Sequence, residues 1–272
     1  MLEFIKTELK KFNIDLVSSI SLDDCNIKRP YLLEKAGINI GTAILFAVPY
    51  LTQTSAGERN VSSYAVSRDY HFFFKSLFEA VIPLLQKAYP NYKFAGFTDH
   101  SPIDEIGACA RSGLGVIGKN HLLITEKYSS YVFIGEIITD AILPSQSMPI
   151  KDCIGCNKCK SACPIGLDPM LCMSSLTQKK GELSKEEEKA IRDNGFIWGC
   201  DKCQEVCPYT QKALESNTIH SPIPFFNQDL TPTLSLKALE EMSDDEFSLR
   251  AYSWRSRKTI ERNIKIFEKG GN

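Results

Sequence analysis

The N-terminal half of the chain alternates helical and strand patterns of apolar residues. Apolar positions recur every three or four residues across residues 2–12, which predicts an amphipathic helix. The continuous apolar run at residues 42–48, closed by a proline, predicts a buried strand. The same patterns predict a helix at residues 69–89 that Pro83 kinks or splits, strands at 92–97 and 131–139, and a helix at 103–111. Strands alternating with helices predict an α/β or α+β domain.

Apolar patterning is weaker in the C-terminal half. It predicts a charged helix at residues 183–193, an irregular proline-rich stretch at 219–233, a helix at 236–247 broken near Asp244, and a basic last element at about 254–267. The basic residues there could form a solvated face or a surface that binds nucleic-acid phosphates. They are Arg255, Arg257, Lys258, Arg262, Lys265 and, just beyond, Lys269. A linker-like stretch at 144–149 suggests domains at 1–145, 146–215 and 216–272.

Composition narrows the class of protein. The 272 residues are 43% hydrophobic with a formal net charge of −1, which suits one large or two modest globular domains. A neutral balance argues against a generally basic nucleic-acid binder, although a local basic patch is compatible with it. The first residues contain no apolar signal-peptide core, and the longest apolar run, residues 43–48, is too short to span a membrane. We therefore expect a soluble cytoplasmic protein with no membrane partner.

The most informative stretch is a cysteine-rich segment at residues 153–208. Its first run has the spacing C-x2-C-x2-C-x3-C-P, by which bacterial ferredoxins hold [4Fe–4S] cubes. The second run, C-x2-C-x3-C-P, lacks the first cysteine of the repeat, and the lone Cys172 between the runs can replace it. The eight candidate ligands are Cys153, Cys156, Cys159, Cys163, Cys172, Cys200, Cys203 and Cys207.

The ferredoxin spacing also predicts how these cysteines are divided. Three thiolates two residues apart wrap one cube, whereas the fourth, followed by proline, ligates the other. The first cube is assigned to Cys153, Cys156, Cys159 and Cys207. The second cube is assigned to Cys163, Cys172, Cys200 and Cys203.

Zinc and disulfides are the alternatives for these cysteines. Two C-x2-C pairs can hold a zinc ion, but this does not explain the third cysteine at the same spacing or the proline after both x3 cysteines. Disulfides are disfavoured because the chain lacks a secretory signal. Cys25 and Cys109 lie outside the segment and are interpreted as buried rather than reactive thiols.

Polar residues at two predicted helix starts could carry further chemistry. Asp99 follows a predicted strand, where a carboxyl group can be a general acid or cap the next helix, and the pattern favours the cap. The same alternatives apply to residues 69–71. The glycine-rich stretch at 113–120 misses the phosphate-binding loop pattern because Asn120 replaces the required hydroxyl. We interpret it as a tight turn whose backbone can approach a large ligand.

Several segments together resemble one family. The sequence Tyr64-Ala-x3-Asp69-Tyr70-His71 is similar to its YAxGRDYH box, and residues 99–105 are similar to its DSAPxLE box. Further blocks resemble residues 113–120, 131–140, 172–177 and 199–208. The family is epoxyqueuosine reductase, an iron–sulfur and cobalamin enzyme of tRNA modification. The resemblance runs from about residue 44 to residue 272.

The resemblance implies an α+β architecture in which a nitroreductase-like α/β domain binds cobalamin. A ferredoxin-like domain would cover it and pass single electrons through two [4Fe–4S] clusters from an external low-potential donor. Reduced cobalt would then remove the epoxide oxygen of epoxyqueuosine at the wobble position of tRNA, which gives queuosine and water. Asp99 falls on the family's proton donor. The positions expected to line the corrin are Ser62, Asp99, Leu123, Ile134, Ser174 and Asp201.

The chain also departs from the family pattern. Ser67 replaces the glycine of the first box, and His100 replaces the serine after the aspartate. Family members often continue into a helical-repeat domain that helps to grip tRNA, so we expect a short form without it. Two other functions stay open: the same core acting on a small molecule or a corrinoid protein, and a ferredoxin-type electron carrier. A carrier is disfavoured because it would not need the 152 residues before Cys153.

Overall fold

The computed structural model describes residues 1–53, 57–168 and 171–269, so the last three residues of the expected 216–272 extension lie outside the described residues. The strands are β1 (Leu16–Ser21), β2 (Thr42–Pro49), β3 (Phe94–Phe97), β4 (Val116–Ile117), β5 (Leu123–Ile124) and β6 (Val132–Thr139). The helices are α1 (Leu2–Lys10), α2 (Pro30–Ala36), α3 (Tyr70–Ala88), α4 (Glu105–Arg111), α5 (Lys158–Ala162), α6 (Met173–Thr177), α7 (Lys185–Asn194), α8 (Lys202–Glu205), α9 (Pro208–Glu215), α10 (Leu236–Glu241), α11 (Asp244–Ser248) and α12 (Arg257–Glu268).

A four-stranded sheet, in the order β1–β2–β6–β3, forms the centre of the N-terminal half. All of its strand pairs are antiparallel, as in α+β folds. Successive side chains of a strand face opposite sides, so β2 buries one row on each face. Ile44, Phe46 and Val48 pack with α1 and α3, whereas Ala43 and Leu45 pack with α2 and α4. The sheet therefore lies between two helical layers.

The C-terminal half packs its short helices around a separate apolar cluster. Trp198, Tyr252 and Ile260 are fully buried in this cluster, to which α10, α11 and α12 contribute. The cluster is joined to the N-terminal half because Val61 pairs with Trp198 and the Ser62 amide donates to the Trp198 carbonyl at 2.9 Å. The stretch after α9 returns to the N-terminal core, where Ile219, Ile223 and Phe226 are buried. The cysteine-rich segment is thus held from both sides.

Most predicted elements are present, and the differences have local causes. α3 continues through Pro83, so the predicted split is wrong; one lost hydrogen bond is outweighed by the buried face of the helix. The helix predicted at 236–247 is broken near Asp244, as expected, because α10 ends at Glu241 and Ser243 caps α11 through a capping box. The strand β1 was not predicted, since its serines interrupt the apolar pattern. No helix of the described residues combines the length and apolar character needed to cross a membrane.

Candidate functional site

The thiols of the cysteine-rich segment form two groups. Cys153, Cys156, Cys159 and Cys207 line one small cavity. In the second group, burial raises the pKa of the Cys203 thiol to about 12, and the neighbouring charges that add to this are those of Cys200, Cys172 and Cys163. All ten cysteines are free thiols, and among the described residues no three His, Cys, Asp or Glu side chains are placed to hold a single metal ion. The two groups have the same members as the two sets predicted from the spacing.

Local backbone geometry turns the first group toward one point. Gly155 and Asn157 adopt left-handed conformations, with φ of 70° and 61°, which reverse the chain between the first cysteines. The ammonium of Lys119 donates to the Asn157 side-chain oxygen at 2.8 Å. Cys207 enters the group from the N-terminus of α9, where Pro208 occupies the first helical position.

The end of the glycine-rich loop, residues 117–120, contacts both thiol groups. Its strand β4 pairs with β5, and the carbonyl of Ile117 accepts from the Cys153 amide at 3.0 Å. Asn120 lines the cavity of the first group, and its Nδ2 is 3.7 Å from the Cys203 sulfur of the second. A tight turn, in which the His121 amide donates to the Gly118 carbonyl at 2.8 Å, holds Asn120 there. The loop therefore lies against cysteines, in agreement with its interpretation as a turn.

A cavity of about 580 Å³ contains Asp99 and opens between the two halves of the chain. Its lining residues are Tyr64, Asp69, Tyr70, His71, Asp99, Ser174, Gln178, Ala251 and Trp254. The Tyr70 hydroxyl donates to the Asp99 carboxylate, and the His71 Nε2 is 3.5 Å from the same oxygen. The Asp99 amide donates to Glu105 at 3.1 Å. Asp99 is thus fixed from several sides, while 54% of its side chain is exposed.

The capping alternative is wrong for Asp99 and correct for Asp69. Asp99 has a φ of 57°, a left-handed conformation that aspartate tolerates, and the cap of α4 is Asp104. The Asp69 carboxylate accepts from the His71 amide at 3.0 Å and so caps α3. Asp99 is therefore available for chemistry in the cavity.

The charges around Asp99 shift neighbouring groups. Burial and the Asp99 charge raise the pKa of Tyr70 well above its ordinary value, so its phenol stays a donor. The hydrogen bond that the Asp69 carboxylate accepts from the His71 ring raises the pKa of His71. Burial, with the charge of Asp99, raises the pKa of Glu105 to about 7. A carboxylate held by a permanent donor and open to water can load a proton from solvent and deliver it into the cavity.

The residues predicted to line a corrin are only partly brought together. Ser174 lines the same cavity as Asp99, and the Ile134 carbonyl accepts from the Thr98 hydroxyl at 2.8 Å, next to Asp99. Ser62 donates to the fully buried Asp201. Leu123 lies in the apolar cluster between the sheet and α4, and is 3% exposed.

Two residues of the site were missed in the sequence. Gln178 lines the cavity and donates to the Ser174 hydroxyl at 3.1 Å; its position four residues after Ser174 could have indicated this. Glu105 accepts from the Asp99 amide; it is the last residue of the box at 99–105, but its contact with Asp99 was not predicted.

Comparison with known proteins assigns these features to one family. The family model described as "Epoxyqueuosine reductase QueG, DUF1730" matches residues 34–100, and the "4Fe-4S dicluster domain" model matches residues 152–211. The epoxyqueuosine reductase of Listeria monocytogenes is 30% identical over 214 residues, which cover 73% of this chain and 54% of that protein. The chain is a relative of the epoxyqueuosine reductases. It spans just over half of the length of this relative.

Solved structures of epoxyqueuosine reductases share the fold. The structure from Streptococcus thermophilus matches with a TM-score of 0.81 at 23% identity, and the match covers 99% of this chain and 81% of that one. A crystal structure of an epoxyqueuosine reductase with a tRNA-Tyr epoxyqueuosine-modified tRNA stem loop matches with a TM-score of 0.78, at the same identity and coverage. The mixed α and β fold, with its 4Fe–4S dicluster domain, is therefore that of the epoxyqueuosine reductase family.

Proposed function

We propose that the chain reduces epoxyqueuosine to queuosine in tRNA, in queuosine biosynthesis, using cobalamin and two [4Fe–4S] clusters. One observation carries the proposal: the Asp99 cavity is bounded by α6, the helix that Cys172 caps. The Asp99 carboxyl group thus lies on a cavity whose α6 wall begins directly after Cys172, a cysteine of the second group. Reduction requires electrons and protons at the same place, so this proximity supports a reductase over a simple electron carrier.

We assign the two thiol groups to two cubes. Cys153, Cys156, Cys159 and Cys207 would hold one cube, and Cys163, Cys172, Cys200 and Cys203 the other. Four thiolates are the donor set of a [4Fe–4S] cluster, and the match of residues 152–211 to a dicluster domain supports the pairing of two such sets. The cubes would supply single electrons from an external low-potential donor. The domain division at residues 1–145, 146–215 and 216–272 belongs to the same proposal.

The cavity presents polar side chains from both halves of the chain, among them Tyr64, Asp99 and Ser174, which a cofactor bound there would contact. Ser174 and Tyr64 form its wall, and Gly199, beside Cys200, lies so close to Ser62 and Tyr64 that a Cβ there would come within 2.4 Å of the Ser62 Cβ. We propose that Ser62, Leu123, Ile134, Ser174, Asp201 and Asp99 contact cobalamin, with Ile134 acting through its carbonyl. When bound, cobalamin supplies a strongly reducing cobalt centre for opening the epoxide.

Asp99 would supply the proton that the leaving oxygen needs. Conversion of an epoxide to an alkene and water takes two electrons and two protons, and both carbon–oxygen bonds break. The Asp99 carboxyl can protonate the oxygen as it leaves, because Tyr70 and His71 hold it at the cavity. Its exposed face then lets water return the proton.

The substrate proposal draws on the relationship to the epoxyqueuosine reductases. One relative was solved with an epoxyqueuosine-modified tRNA stem loop, and we extend that substrate to this chain. A cytoplasmic location, where tRNA and reduced electron carriers are both present, follows as part of the proposal.

The test is a reconstituted reaction without oxygen. Purified protein loaded with iron, sulfide and cobalamin should contain about eight iron atoms and one cobalt atom per chain. With a low-potential reductant it should convert epoxyqueuosine to queuosine in tRNA, measured by mass spectrometry of the digested nucleosides. A fully loaded protein that leaves epoxyqueuosine unchanged would contradict the proposal.

A further inference from the structure

A second recess adjoins the Asp99 cavity, and its lining is basic. It has a volume of about 390 Å³ and shares Trp254 with the Asp99 cavity. Its lining residues are Lys180, Gly181, Trp254, Arg255, Ser256, Lys258, Thr259 and Arg262. None of these lining residues is acidic, so the recess places positive charge directly beside the candidate reaction site.

Some basic residues of α12 serve the fold rather than this recess. The Arg257 guanidinium donates to the carbonyls of Leu239 at 2.7 Å and Met242 at 2.6 Å, and so ties α12 to the C-terminal end of α10. Lys265 pairs with Glu261 on the same helix. The predicted basic helix is therefore not one uniform surface.

Other basic side chains of the recess form no ion pair with a described residue. Within the described part of the chain, no carboxylate lies within ion-pair distance of Lys180, Arg255 or Lys258. The Arg255 Nε is buried without a hydrogen-bond partner among the described residues. Arg262 donates to the Gly181 carbonyl, which fixes the turn that carries Lys180 against α12. Charged groups held together without counter-ions indicate a ligand with negative charge.

Trp254 gives the recess a flat apolar platform. The residue is 57% exposed, and its indole contacts the buried Trp198 edge-on at a centroid distance of 6.4 Å. The Arg255 guanidinium carbon lies 3.8 Å from the centre of the Trp254 ring. Unpaired RNA bases stack on aromatic side chains and on guanidinium planes, while lysines and arginines contact the phosphates. The combination suits a single-stranded nucleotide better than a small anion.

We propose that one surface of the recess binds the nucleotide next to the modified wobble base. This Trp254 surface consists of Lys180, Trp254, Arg255 and Lys258. This inference rests on the proposed function, because it takes the wobble base to enter the Asp99 cavity. That base must leave the loop stack to reach Asp99, and its neighbour then needs a new stacking partner. Trp254 lies on both recesses and can supply it, while Lys180 and Lys258 contact the flanking phosphates.

The experiment is a binding titration that does not depend on turnover. Loaded holoenzyme is titrated against a fluorescein-labelled tRNA-Tyr anticodon stem loop, and fluorescence anisotropy gives Kd over a range of KCl concentrations. Trp254→Ala should raise Kd about tenfold, as expected for one stacked base. Trp254→Phe should restore most of the affinity. Lys180→Ala and Lys258→Ala should each reduce the slope of log Kd against log salt by about 0.7.

Lys87→Ala is the matched control. Lys87 is exposed near the C-terminal end of α3, 17 residues or about 25 Å along the helix from Tyr70 of the Asp99 cavity. This variant should bind as the wild type does. The Trp254→Ala variant and the Lys180→Ala/Lys258→Ala double variant could also keep the wild-type Kd and salt slope, while the wild type binds and reduces its substrate. In that case the Trp254 surface does not bind the nucleotide, and the proposed function stands. A wild type that binds no stem loop would overturn both.

Discussion

The cysteine-rich segment and the Asp99 cavity are assembled in opposite ways. In the segment, seven of the eight candidate ligands lie in two short runs, and local turns at Gly155 and Asn157 direct the first run toward one point. In the cavity, Asp99 follows β3, Tyr70 begins α3, Ser174 lies on α6 and Trp254 precedes α12. The proposed electron supply thus depends largely on local chain geometry, whereas the proposed proton supply depends on the complete fold. The two functions should therefore be separable by substitution.

Loss of a cluster ligand should have the largest effect. Cys203→Ala is expected to remove the second cube, lower iron from about eight to about four atoms per chain, and abolish turnover with any reductant. Cys156→Ala should lose the same amount of iron, because it removes the first cube. Cys156 is exposed, on the outer side of the segment, so a small strongly reducing dye should restore part of the activity of Cys156→Ala but none of Cys203→Ala. Equal rescue of both variants would contradict a path in which electrons enter at the first cube and then pass to the second.

Removal of the acid should stop the chemistry and leave the electron supply intact. Asp99→Ala is expected to lower the rate of epoxide reduction by roughly 10²–10⁴, the range for a positioned general acid. Iron content and the spectrum of the reduced clusters should match those of the wild type. Asp99→Glu, which keeps a carboxyl group, should recover a fraction of the rate. Wild-type turnover by Asp99→Ala would show that the proton comes from another group.

The same contrast explains how far the sequence could be interpreted. The cysteine spacing is a property of consecutive residues, so the sequence alone predicts two thiol groups, and their assignment to two clusters stays a prediction. Asp99 and residues 69–71 were recognised as candidates, but the contribution of Gln178 and Trp254 required the packing of α6 and α12. The strand β1 was missed for a related reason: its Ser19 hydroxyl donates to the Pro144 carbonyl, a partner 125 residues away. Tertiary partners leave no local pattern.

Substitution of Asn120 should have a moderate effect on the midpoint potential of the second cube. Its amide lies 3.7 Å from the Cys203 sulfur, and a donor to a cluster sulfur stabilises the reduced, more negative cube. Asn120→Ala should therefore shift the midpoint potential of the second cube to a more negative value in a redox titration followed by electron paramagnetic resonance. The matched variant, Lys119→Ala, should shift the first cube instead, because the Lys119 ammonium donates to Asn157 between the cysteines of the first group and does not contact Cys203. A shift of the same cube in both variants would contradict this division.

The smallest effect should appear in the pH dependence of the stability of the fold, through Glu105 beside Asp99. Glu105 has a pKa raised to about 7, first by burial and then by the charge of Asp99, against about 4.5 in the unfolded chain. The folded state therefore holds a proton that the unfolded state releases, so this stabilisation is complete below pH 4.5 and is lost as the pH rises through 7. Wild-type Tm should fall more steeply across this window than that of Glu105→Gln, which keeps an acceptor for the Asp99 amide. Asp99→Asn removes one cause of the raised pKa, so its Tm should begin to level off at a lower pH. If Asp99→Asn instead leaves the wild-type profile unchanged, the two carboxyl groups are not coupled, and the proton side does not act as one unit.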